Sequence, residues 1–289
     1  MAGVEPPARL PDLEYDEYSN RQLVAVPLVV LALALAIIAV HYLLAGTPVG
    51  LGIAFTGGTE LHIATTDSPA QIRSTFGEVE NVQPIRSAAD EYIVSFQSTD
   101  TTAISEQAEA AGYEVQSIQG RAASFGASSQ QQALIGVAVA FLGMSLLVFA
   151  LFRTFVPSIA VVVSAFSDIV IPVALMNVFG IELSLGTVAA LLMLIGYSVD
   201  SDLLLNNHVL RRRGDFYEST YRARRTGVTM TITSIAAMTV MAIVSWLFAI
   251  PLLPSIGLIL VFGLTADLMN TYLMNVTLLR YYLYEGIAK

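Results

Sequence analysis

The chain has 289 residues, 55% of them hydrophobic and only 13% charged, with no cysteine and a formal net charge of −9. Soluble domains carry about 25% charged residues, so this composition describes a polytopic membrane protein and excludes disulfides and thiolate metal sites. The 3 His residues (His41, His62, His208) are too scattered for a metal site, and basic patches suited to nucleic acid are missing outside one short segment.

Acids outnumber bases 23 to 14, and the only lysine is Lys289. That balance points to a protein bathed in concentrated salt. Residues 1–22 include the acidic run PDLEYDEY. They lack the positive start and short apolar core of a cleaved signal, so the first apolar stretch reads as an uncleaved anchor.

A membrane helix needs about 20 mostly apolar residues. The first such stretch predicts a transmembrane helix over 23–45, and residues 46–131 form the one sizeable extramembrane segment. Within it, period-2 runs predict strands at TELHIAT, VQPIRSA, EYIVSFQS and YEVQSIQG. Helices are predicted at SPAQIRSTF, with Ser68 and Pro69 as cap and first-turn residue, and at DTTAISEQAEAAG, with a glycine stop. The order β-α-β-β-α-β reads as a ferredoxin-like domain. It shows no His/Asp/Glu cluster with catalytic or metal spacing.

Five further spans are predicted within 132–284, at about 132–152, 155–179, 183–205, 226–250 and 255–279, followed by a tail at 285–289. The expected fold class is a polytopic α-helical membrane protein of six transmembrane helices with one extracytoplasmic ferredoxin-like domain.

Arginine placement sets the expected orientation. Arg211, Arg212, Arg213, Arg222, Arg224 and Arg225 crowd the segment 207–225 between spans four and five. Arg153, Arg280 and Lys289 fall on that side too, with Arg9 and Arg21. It is expected to be cytoplasmic, with both termini. Only Arg73, Arg86 and Arg121 lie opposite, among ten acids. Tyr281, Tyr282 and Tyr284 at one end of span six and Trp246 near the other end of span five suit the two interfaces.

Four aspartates stand inside predicted spans. Asp168 lies about fifteen residues past Arg153, roughly mid-bilayer at 1.5 Å per residue. Asp267 is equally deep in span six, and Asp200 and Asp202 fall in the inner half of span four. A carboxylate in hydrocarbon must be paired, protonated or hydrated. Taken singly, each is as readable as a helix–helix hydrogen bond that holds the bundle together as it is as an ion carrier, but four of them in a chain so poor in charge favour a proton or ion path. Asp200 and Asp202 are about 200° apart around a helix. Gly196 and Asp200 share one face, and Ser198, Asp202 and Asn206 the other. The two aspartates therefore serve different interfaces, one within the chain and one with a partner. Arg225, with Thr226, Thr229 and Thr233 behind it in span five, is within reach of a span-four aspartate or else anchors the inner interface.

Several stretches resemble the SecD/SecF family of protein-export membrane proteins. Gly196–Asp202, GYSVDSD, is similar to the GYS-I/V-N-D-T signature of its SecF branch. Gly196, Tyr197 and Ser198 match directly. Ser201 stands where the family has its functional aspartate, and Asp200 and Asp202 where it has asparagine and threonine. GIAFTGGTEL (Gly52–Leu61) resembles the F-x-G-G-T/S element after the first span, with Gly57 and Gly58 as a flexible domain junction or a plain turn before a strand. RTGVT (Arg225–Thr229), Asp168 and Thr271–Tyr272 match elements of spans five, three and six.

The resemblance covers the whole chain and implies half of an RND-type transporter, with a SecD-like subunit supplying the other half. It implies a non-enzymatic role in protein export, driven by the proton or sodium gradient, with Asp168, Asp200, Asp202, Asp267 and Arg225 as ion-coupling candidates. The implied partners are the SecD-like subunit, the Sec translocon channel, exported polypeptides and membrane lipid, with no cofactor and no nucleic acid. Two other readings stay open: an uncoupled scaffold that stabilises the export channel, and half of an RND-type small-molecule exporter.

Overall fold

The structure, a computed structural model, describes residues 15, 17–85, 90–211, 216–248, 250 and 252–284. Arg9, Arg86, Arg212, Arg213, Lys289 and the tail at 285–289 lie outside the described residues.

Helix α1 (Asn20–Ala45) starts at a capping box: Gln22 N donates to Ser19 Oγ at 3.4 Å, and Ser19 N donates back to Gln22 Oε1 at 3.0 Å. It stops at Gly46, whose φ of 76° is the left-handed conformation that favours glycine. The chain then ties itself to a distant loop through a parallel bridge between Leu51 and Leu183. Gly52 N donates to Leu183 O at 2.9 Å and Leu183 N donates to Gly50 O at 2.7 Å.

A one-turn helix, α2 (Ile53–Thr56), follows within the stretch GIAFTGG. Gly57 ends it with φ 78°, and Gly58 opens strand β1 (Gly58–Ala64) with φ 134°. Both glycines are buried, and a Cβ at Gly58 would sit 2.3 Å from Phe96 O. The conformational freedom of this pair is thus used to hold one tight backbone path. On the other side of α2, a Cβ at Gly126 would lie 2.5 Å from Phe55 O and 2.7 Å from its carbonyl carbon. Those neighbours are backbone and cannot rotate away. Gly126→Ala is therefore expected to destabilise the detergent-solubilised chain by about 1–3 kcal/mol, read as a lowered Tm.

The small domain continues with α3 (Pro69–Phe76), β2 (Asn81–Pro84), β3 (Glu91–Phe96), α4 (Thr101–Ala110) and β4 (Glu114–Arg121). Ser68 and Asp100 cap the two helices as their residue types dictate. The strands pair antiparallel in the order β2-β3-β1-β4, the ferredoxin-like arrangement. Alternation puts Leu61, Ile63, Val94 and Phe96 on the face covered by Ile72 and Phe76 of α3 and Ile104 and Ala108 of α4. The other face carries Glu60, His62 and Gln119, with His62 Nε2 3.1 Å from Glu91 Oε2.

The remaining elements are α5 (Ala123–Phe152), α6 (Phe155–Phe179), α7 (Leu185–Arg211), α8 (Phe216–Leu247), α9 (Leu253–Met269), a π-helical turn (Asn270–Asn275) and α10 (Val276–Tyr284). With α1, and with α9 to α10 as one span, the described residues contain six helices long and apolar enough to cross a membrane. α7 and α8 run past their apolar windows, so Arg222, Arg224 and Arg225 are helical residues of α8. Hydropathy marks the part of a helix that lies in hydrocarbon, not where its hydrogen bonding ends.

Most of α6, α7 and α9–α10 is buried, while α1, α5 and α8 present largely exposed apolar surfaces. The buried carboxylates of the bundle lie among the three inner spans. Small residues let these helices approach: a Cβ at Gly263 of α9 would lie 2.1 Å from Leu194 Cδ2 of α7.

Candidate ion-coupling site

Three carboxylates meet where α6, α7 and α9 pack together. Asp168 of α6, Asp202 of α7 and Asp267 of α9 are each no more than 1% exposed. Asp168 accepts from Ser198 Oγ at 2.6 Å and from Asn270 Nδ2 at 2.6 Å, one bond on each oxygen. Asp202 Oδ1 accepts from Thr271 Oγ1 at 2.8 Å and Asn275 Nδ2 at 2.8 Å. Asp267 Oδ1 accepts from Ser201 Oγ at 2.7 Å and faces Thr271 Oγ1 at 3.3 Å. Ser164 of α6 is buried beside Asp168 and Asp202, outside hydrogen-bonding geometry.

Among the described residues, the hydrogen-bond donors to these carboxylates are all neutral hydroxyls and amides. Thr271 has a single hydroxyl hydrogen and two carboxylate neighbours. It donates to one of them at a time, so it links Asp202 and Asp267 as a two-sided bridge. Ser201 has the same choice between Asp267 and Ser198 O, which lies 2.9 Å away.

The π-helical turn makes this convergence possible. A π turn bonds i→i+5, so it is wider than an α-helix and rises less per residue, and it is frequent at functional sites. Here it holds Asn270, Thr271 and Asn275, all buried, facing α6 and α7. Sequence reasoning singled out Thr271 and missed Asn270 and Asn275. The signal for Asn275 was polar residues at i and i+4 (267, 271, 275) in an otherwise apolar span, and Asn270 falls at i+3 from Asp267.

The signature stretch splits between two faces. Ser198, Ser201 and Asp202 point into the network, whereas Gly196 and Asp200 are exposed. Asp200 makes no hydrogen bond or ion pair with the described residues, and nothing lies within 4 Å of a Cβ built on Gly196. Tyr197 is half-buried, with its hydroxyl 2.5 Å from Ser234 Oγ of α8. Arg225 is exposed and reaches no aspartate among the described residues. Thr226 and Thr229, also exposed, donate to their own backbone, at Arg222 O (3.4 Å) and Arg225 O (2.8 Å).

A family profile for the C-terminal part of the protein export membrane proteins SecD and SecF matches residues 101–285. The chain is 64% identical to the protein-export membrane protein SecF of Haloferax volcanii, over 97% of this chain and 98% of that one. The chain belongs to the SecD/SecF family. The SecF of Haloquadratum walsbyi is 63% identical over the same shares, and that of Pyrococcus furiosus 36% identical over 94% of each chain. The two nearest in identity of these three come from haloarchaea, which fits the acid-rich, lysine-poor composition.

The fold of this SecD/SecF member is that of a solved one. It superposes on the crystal structure of SecDF, a translocon-associated membrane protein from Thermus thermophilus, with a TM-score of 0.73 at 18% identity. The match covers 96% of this chain and 40% of the SecDF chain. Six spans with one ferredoxin-like domain are thus the fold of 40% of the SecDF chain.

Proposed function

We propose that the chain is the SecF-like subunit of a SecD–SecF complex, that it assists polypeptide export through the Sec translocon, and that a proton or sodium gradient drives it. Its termini and the 207–225 segment face the cytoplasm in this reading, and the 46–131 domain acts on polypeptide at the outer surface. The observation that carries the coupling is the buried network of Asp168, Asp202 and Asp267 on three helices, joined by hydroxyls and supplied only with neutral donors. Three charges with no cation bonded to them among the described residues are costly in a low-dielectric interior. A proton or small cation taken up there neutralises them, and its release favours a different packing of the same helices. That gives an ion gradient a means of cycling the bundle and, through α2 and α5, the domain above it.

Two observations support the SecD-like partner. The chain spans only 40% of the SecDF chain, whose remainder would be supplied by a second subunit. The exposed Asp200 and Arg225 give such a subunit polar surface to cover. The test is export of a secreted reporter in cells with and without the chain, under a protonophore in one arm and a sodium ionophore in the other. The chain's contribution is expected to vanish in one arm, which names the ion. A contribution that survives both ionophores would leave a scaffold.

A further inference from the structure

Tyr15 is placed where the acidic run around it gave no reason to expect it. Tyr15 is 0% exposed, within a cluster formed by Leu23 of α1, Leu205 and Val209 of α7, Phe216 of α8, Tyr272, and Leu279 of α10. Its hydroxyl donates to Tyr272 O at 3.0 Å, a carbonyl of the π-helical turn that holds the carboxylate network. Its ring lies 5.8 Å from that of Tyr221, and its backbone N donates to the Tyr221 hydroxyl at 3.3 Å. Arg280 clamps the segment by donating to Tyr15 O, to Tyr18 O at 2.9 Å and to Asn20 Oδ1. Burial pushes the Tyr15 phenol up to about 12, so the group is present as a donor.

On the helices that form this cluster stand buried polar atoms without partners among the described residues. Asn206, one turn along α7 from Asp202, has no partner for its Oδ1 or its Nδ2 among the described residues. Asn275 Oδ1, Asp202 Oδ2 and Thr220 Oγ1 of α8 are unbonded too, and all four residues are fully buried. Their helix neighbours Leu205, Val276, Phe216 and Ala223 belong to the Tyr15 cluster, so these polar atoms border it. Unsatisfied buried polar groups are rare and costly. A run that mixes donors and acceptors is what water satisfies.

We propose that a hydrated polar path leads from Asp202 past Asn206, Asn275 and Thr220 toward the N-terminal end of the bundle, and that Tyr15 closes it. The path is the ion's route to that side. Its purpose rests on the ion-coupling reading, but its existence does not.

The chain's lack of cysteine makes the test clean. Asn206→Cys is placed in the full chain, co-expressed with its SecD-like partner. Membrane vesicles are treated with a charged methanethiosulfonate from the side that bears the N-terminus. Labelling is slow with Tyr15 present and faster by at least about tenfold with Tyr15→Ala, which removes the buried ring. Tyr15→Phe, which keeps the ring and so the fold, gives about a fivefold increase, the scale of one lost hydrogen bond. Ile259→Cys, fully buried in the apolar core, stays unlabelled in all three backgrounds. Equal Asn206→Cys labelling in all backgrounds overturns the proposal, as does Tyr15→Ala exposing Ile259→Cys to the same degree. Labelling that follows Tyr15 while export ignores both ionophores keeps the path and removes the coupling. Gradient-dependent export with unchanged labelling removes the path alone.

Discussion

Asp202→Asn is expected to abolish the chain's contribution to export while leaving the complex assembled. The substitution is close to isosteric. The new Oδ1 still accepts from Thr271 and Asn275, at the 2.8 Å positions now filled by the carboxylate. The amide nitrogen takes the place of Oδ2, which bonds to no described residue. Packing is therefore preserved, and what disappears is the capacity to exchange a proton or hold a cation. Removing a positioned proton-transfer group costs about 100-fold or more in rate, so export should fall to the level of cells that lack the chain. Thr271→Val gives a useful contrast. It keeps all three carboxylates and removes only the hydroxyl between Asp202 and Asp267, so a partial loss is expected. The measurement is reporter secretion, with pull-down of the SecD-like partner as the assembly check. Full export in Asp202→Asn, Asp168→Asn and Asp267→Asn alike would sink ion coupling. Loss of assembly would make the aspartates structural hydrogen bonds.

Much of this arrangement is legible in the sequence because hydrocarbon is an exacting solvent. Six runs of about 20 apolar residues leave few alternatives, and period-2 runs between Gly58 and Arg121 mark strands that bury one face. The angular separation of Asp200 and Asp202 follows from helix geometry alone. Which of them turns inward does not, since that depends on which neighbouring helix packs on which face. α2 escaped notice because four residues between glycines carry no period. The π-helical turn escaped because its residues are also good α-helix residues. Only the demand of Asp168 and Asp202 for donors explains its placement. The burial of Tyr15 had no local signal at all: its partners Tyr221, Tyr272 and Arg280 are more than 200 residues away.

Asp200→Leu is expected to separate assembly from ion coupling, with opposite signs for the complex and the isolated chain. Asp200 is exposed on α7, one turn from the open face of Gly196, and has no partner among the described residues. A carboxylate turned toward hydrocarbon costs roughly 2.5–3.5 kcal/mol at a helix centre. A chain that worked alone would have little use for it. With Arg225, Thr226 and Thr229 exposed on the neighbouring α8, it marks the surface that a SecD-like subunit would cover. Gly196 leaves room there for a helix to come close. Replacing Asp200 by leucine removes the cost in the isolated chain, whose Tm in lipid nanodiscs should rise. The same change deprives the partner of its polar contact, so co-purification should fall by about tenfold, a loss of roughly 1.4 kcal/mol. Arg225→Leu should weaken co-purification in the same way, and neither change touches the buried network. Undiminished co-purification with both variants would place the partner on another face of the bundle.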